Sequence, residues 1–236
     1  MEAARAYQHE VLNVLAKIGA TQQGAIHQAA AILADVIAAG EIVYILGSGH
    51  SLLPAAEAYH RAGGLVPVDI IYDPTFGKAE RLPGYAQVLL ERYPVKPHGV
   101  IVIISNSGRN PLPIEMALLA RERGIRTIAL TNMAHTTQET SRHPSGKRLY
   151  EIADVVIDNC GVYGDATLEI PGVPGLVCPT SGVTGAFIIQ SIIAQTIEDL
   201  HARGIDPPVL RSANVTGGDE HNKAVEARYA GRIRGL

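Results

Sequence analysis

Apolar residues recur at helical spacing near the start of the chain: Val11, Leu12, Leu15 and Ile18, then Ile26, Ala30, Leu33, Val36 and Ile37. Thr21 and Gly24 interrupt that run, so the pattern predicts two consecutive helices over residues 4–39. The second is so rich in Ala and Ile, across Ala29-Ala30-Ala31-Ile32-Leu33, that it presents more than one apolar face. That points to packing against a second copy of the chain, hence a homo-oligomer with these helices at its interface. After Gly40 the period changes. Residues 42–46, 100–104 and 127–130 are short β-branched runs, each followed by small polar residues and then a helical pattern. Residues 66–71 and 155–157 add two further strands. The intervening helices are expected at 52–61, 111–123 and 184–200, with a short one at 85–92.

Alternating strands and helices predict an α/β fold: a three-layer αβα sandwich around a five-stranded parallel sheet. Residues 1–236 read as one domain, with N-terminal helices at 1–40, an α/β core at 41–200, and a tail and terminal helix at 201–236, the helix starting near Asp219. Two connections, 73–94 and 132–147, are long for such a fold, and connections of that length tend to cover a site.

Composition narrows the function. The 236 residues are 47% hydrophobic but only 5% aromatic, with no Trp, so Ala, Ile, Leu and Val must fill the core. A net charge of −3 and the lack of any basic–aromatic run argue against a nucleic-acid partner. No apolar run approaches the ~18 residues of a membrane span, and the charged start is unlike a secretion signal, so a cytoplasmic location is expected. Cys160 and Cys178 have no metal-type spacing and read as reduced, partly buried thiols. The nine histidines include no His-x-x-x-His pair, so no metal is expected.

Three loops carry candidate chemistry, each at a strand end or a helix start. Gly47-Ser48-Gly49-His50-Ser51 offers a tight turn, hydroxyls and free backbone N–H groups, a combination suited to an anion. Leu52 stands where a dinucleotide fingerprint needs another glycine, which argues against a nicotinamide or flavin cofactor. Ser105-Asn106-Ser107-Gly108-Arg109-Asn110-Pro111 supplies hydroxyls and amides for a tetrahedral oxyanion, with Asn110 suited to the helix cap and Pro111 to its first turn. Pro179-Thr180-Ser181-Gly182 repeats the theme before the last long helix. In a parallel sheet all three meet beyond the carboxyl ends of the strands, where a phosphorylated, polyhydroxylated small molecule fits.

A strand followed by Gly-x-Gly-x-Ser, a strand followed by Ser105-Asn106-Ser107-Gly108, and then Thr131-Asn132 after the next strand resemble the sugar isomerase (SIS) domain over residues 25–200. The whole chain looks like the small stand-alone SIS proteins of the phosphoheptose isomerase type. The resemblance implies a flavodoxin-like sheet, a homodimer or homotetramer built through helices, a sugar phosphate as ligand and a cofactor-free aldose–ketose isomerisation. Residue by residue it matches Ser105, Asn106, Ser107 and Asn110 to the phosphate-cradling loop and Ser51 to the hydroxyl that closes Gly-x-Gly-x-Ser, with Ser48 facing the sugar; Gly47, Gly108, Thr180 and Ser181 complete the expected substrate-binding set. Where those isomerases carry their acidic base, this chain has Arg61. Glu57 one turn earlier, His60 on the same helix face, and His221 in the tail are therefore the candidates for proton transfer. An amino-sugar phosphate etherase and a sugar-phosphate sensor without catalysis are the alternatives.

Overall fold

A computed structural model describes residues 2–234. The chain runs α1 (Glu2–Thr21), α2 (Gln23–Ala38), β1 (Val43–Gly47), α3 (Leu52–Glu57), β2 (Val68–Tyr72), α4 (Tyr85–Leu90), β3 (Val100–Ile104), α5 (Pro111–Glu122), β4 (Arg126–Thr131), α6 (Met133–Thr136), β5 (Val155–Asp158), β6 (Ala166–Glu169), β7 (Leu176–Pro179), α7 (Ser181–Ala202) and α8 (Gly218–Glu226). Five strands form one parallel sheet in the order β2-β1-β3-β4-β5. β6 and β7 pair antiparallel in a separate ribbon that no hydrophobic alternation in the sequence announces.

Side chains alternate between the two faces of each strand, and each face meets its own core. Val43, Ile45, Val100, Val102, Ile128 and Leu130 pack against α1, α2 and α7. Tyr44, Leu46, Ile101, Ile103 and Ala129 pack against α4 and α5. β3 is buried along its whole length because it is the central strand with helices on both faces. The apolar surface of α2 is largely used within one chain, since Ile26, Ala29, Ala30, Leu33, Ala34, Val36 and Ile37 are all buried there.

Several boundaries move from their expected places. α3 stops at Glu57 rather than residue 61, and His60 sits beyond it with φ +41°, so Glu57 and His60 do not share a helix face. α8 begins at Gly218 with the left-handed Gly217 as its cap, so Asp219 lies in the first turn instead of capping it. Cys160 is buried as expected, whereas Cys178 is exposed. Among the described residues no helix is long and apolar enough to cross a membrane.

Because β3 serves both cores, truncating one of its inward side chains removes packing that nothing else supplies. Ile103→Ala is expected to lower unfolding stability by about 2–5 kcal/mol, read from the midpoint of a urea titration.

Candidate functional site

The sheet reverses direction of growth between β1 and β3, and a crevice opens beyond the strand ends at such a point. Register decides what faces it. Gly47 pairs with Ile104, so the next residues, Ser48 and Ser105, leave the sheet side by side. Thr131 pairs with Asp158, which brings the start of the next two loops to the same edge.

The first loop turns so sharply that a Cβ at Gly47 would meet the carbonyl oxygen of Ser51 at 2.0 Å. Only glycine fits there, and the turn delivers Ser48 and Ser51 to the crevice. The second loop bends at Gly108, which has φ +58° and lies against Thr131 and Thr136. Ser105 Oγ accepts from Gly108 N at 3.2 Å. Asn106 is pinned from behind: its carbonyl accepts from Asn132 N at 3.0 Å and from Thr131 Oγ1 at 3.2 Å, and its Oδ1 accepts from Asn159 Nδ2 at 2.8 Å.

Two chambers result. A smaller one of about 180 Å³ is lined by Ser48, Ser51, Ser105, Asn106, Ser107 and Asn110, with Glu80 as a further wall. A larger one of about 400 Å³ is lined by His50, Ser51, Leu53, Asn106, Asn159, Asp165 and Ser181. They share Ser51, Ile104 and Asn106, so they adjoin. A volume of about 300 Å³ or more is enough to enclose a small molecule.

Asp73, directly after β2, ties the first loop to the long connection that follows. Its buried carboxylate accepts from Ser48 Oγ at 2.7 Å, Thr75 N at 2.9 Å, Thr75 Oγ1 at 2.7 Å, Gly77 N at 2.8 Å and Tyr85 Oη at 2.9 Å. Burial pushes this carboxyl upward, but donation from Thr75, Ser48 and Gly77 outweighs it and holds the group at about 2. The same loop then carries Glu80 back to α5, where Leu112 N donates to its carbonyl at 3.0 Å.

The expected site residues separate into three groups. Ser48, Ser51, Ser105, Asn106, Ser107, Asn110 and Ser181 line the chambers, while Gly47, Gly108 and Thr180 stand behind them and shape the loops. Asn110 occupies the helix-cap position without capping: its Nδ2 donates to Glu80 and its Oδ1 accepts from Arg142 Nη1 at 2.9 Å. Glu57, His60 and His221 line neither chamber. Glu57 pairs with Arg61 and accepts from Gln190, His60 Nε2 meets Glu226 at 2.9 Å, and His221 Nε2 meets the carbonyl of Val209 at 2.9 Å.

Sequence reasoning missed four groups. Asp73 and Glu80 lie in a connection treated only as a cover, although Asp-Pro-Thr after a strand is a turn-starting signal. Asn159 follows the last strand of the sheet. Asp165, with φ +72°, accepts from Thr180 N at 3.2 Å, Ser181 N at 2.9 Å and Ser181 Oγ at 2.5 Å, and so fills the anion position at the start of α7. The donors at the start of α7 are therefore already taken by this carboxylate. Arg109 is likewise engaged, with Glu139 and the carbonyl of Thr140.

Comparison with known proteins gives the following. The chain matches the family described as SIS domain over residues 6–132. A UPF0309 protein of Listeria monocytogenes is 44% identical over 213 residues, 90% of this chain and 91% of the relative. The structure of a phosphoheptose isomerase from Neisseria gonorrhoeae superposes with a TM-score of 0.59 at 18% identity, covering 84% of this chain and 98% of that one. The Vibrio vulnificus NanR protein complexed with ManNAc-6P superposes with a TM-score of 0.56 at 13% identity, covering 96% and 68%.

The depressed Asp73 carboxyl makes a pH-dependent contribution. Its folded value lies below the ordinary 3.8, so the stabilisation is complete above that pH and is lost as pH falls through about 2. Asp73→Asn is expected to lose about 2 kcal/mol at neutral pH and to flatten the acid limb of a stability–pH curve measured by urea unfolding.

Proposed function

The chain belongs to the SIS domain family, and from that premise we propose that it binds a sugar phosphate, with the phosphoryl group in the smaller chamber and the carbohydrate in the larger. The register that sets Ser48 beside Ser105 carries this reading, because it concentrates hydroxyl donors from two loops in one small chamber. Asp165 supports the orientation: a carboxylate already seated at the start of α7 repels a second anion and welcomes the hydroxyl donors of a polyol. The structures of the phosphoheptose isomerase and of the NanR complex share the fold.

The finer proposal is a cofactor-free aldose–ketose isomerisation. A base takes the proton from the carbon beside the carbonyl, an enediol forms, and the proton returns to the former carbonyl carbon. Of the groups lining the larger chamber, His50 and Asp165 have acid–base side chains, and Asp165 is committed to three donors. His50, held edge-on to Phe76 at 5.9 Å, is left as the proton carrier there. A second reading, binding without turnover, is favoured by one observation: Glu57, His60 and His221 are bonded elsewhere.

A thermal-shift panel of hexose, heptose and N-acetylamino sugar phosphates tests the binding step. At least one is expected to raise the melting temperature of the native protein, and the double variant Ser105→Ala with Ser107→Ala is expected to abolish that rise. Unchanged protection of the variant defeats the assignment. For the best ligand, NMR in deuterated water separates the two readings. Isomerisation exchanges the proton at C2, and binding alone leaves it in place. Elimination of an ether would instead release lactate.

A further inference from the structure

The smaller chamber brings serine hydroxyls together for an anion, yet one of its walls is the half-buried carboxyl of Glu80. That side chain is held in position. Asn110 Nδ2 donates to its Oε1 at 2.7 Å, and Asn110 is itself fixed by Arg142. Among the described residues the side chain bonded to Glu80 is thus a neutral amide rather than a guanidinium, on Oε1, which leaves Oε2 for a ligand. Four influences act on this carboxyl from its surroundings. Burial is the largest and raises it, Asp73 adds to the rise, and Arg81 and Arg142 work against both, with a net upward result.

A phosphoryl dianion inside about 180 Å³ comes within a few ångströms of every wall. Two like charges at that separation do not both persist when one of them can take a proton. Resting on the sugar-phosphate reading above, we infer that the complex carries one extra proton, shared between the Glu80 carboxyl and a phosphoryl oxygen. Free dianion, ionised Glu80 and one proton from solvent combine into a complex bridged by an O–H···O hydrogen bond, and no other atom or electron moves. Glu80 thereby becomes a positioning and selecting residue for the anionic end. It accepts a group that shares a proton with it, and it resists a fully ionised anion once the pH is high enough to leave no proton to share.

Isothermal titration calorimetry of the full chain reads this directly. The probes are inorganic phosphate and the sugar phosphate that stabilises the protein most, each titrated between about pH 8 and pH 9, where free phosphate is a dianion, in two buffers of different ionisation heat. The native protein is expected to take up about one proton per ligand, and its affinity to fall about tenfold per pH unit. That count needs no variant. Glu80→Gln presents an amide that donates without a proton, so it is expected to take up none and to keep its affinity level across the same range. A native protein that binds with no proton uptake, or a Glu80→Gln protein with the native slope, overturns the inference and leaves the sugar-phosphate reading intact. Failure of every phosphate to bind the native protein defeats both.

Discussion

One buried carboxylate holds the site together. Asp73 draws in donors from the first loop, from its own turn and from α4, and these partners span residues 48–85. Without that centre a long connection has little reason to fold over the strand ends. With it, the connection is tied to Ser48 at one end and delivers Glu80 to α5 at the other. Five donors around one carboxylate also keep it ionised despite burial, so the tie does not depend on pH in the neutral range.

The sheet provides the other half of the arrangement. Parallel pairing in register brings successive strands to a common edge, and the reversal between β1 and β3 leaves room there for a ligand. The loops then differ in what they offer. The loops after β1 and β3 offer hydroxyls to a small chamber, whereas the one before α7 has its hydroxyl and backbone donors consumed by Asp165. Loops that look alike as strings of Ser, Thr and Gly thus become unlike in chemistry, because one of them meets the carboxylate of Asp165, which stands just before β6.

That contrast explains how far the sequence could be read. Unbroken β-branched runs such as Val100–Ile104 are legible because burial on both faces demands them, and they fixed the order of strands and loops. Ser48, Ser51, Ser105 and Ser107 followed, since their positions depend on short local turns. Glu57, His60 and His221 stand out in the sequence only by their spacing along a helix or beside glycines, and spacing does not say where a helix ends. α3 gives way after Glu57, and His60 turns toward α8. Glu80 and Asp165 were invisible for the opposite reason. Each acts through partners 15 or more residues away, Asn110 in one case and Ser181 in the other, and no periodicity records such a pairing. The ribbon β6–β7 carries too few buried side chains to leave a pattern.

The carboxylate at the head of α7 has one more effect, on how many charges a bound molecule carries. Asp165 lines the larger chamber, on the far side of Ser51 and Asn106 from the serine cluster. A sugar esterified at both ends would push its second dianion against that fixed negative charge, with no vacant helix dipole to receive it. If the proposed sugar-phosphate binding holds, the crevice is one-ended and would discriminate monophosphates from bisphosphates by repulsion at the tail, independently of how well the head is gripped.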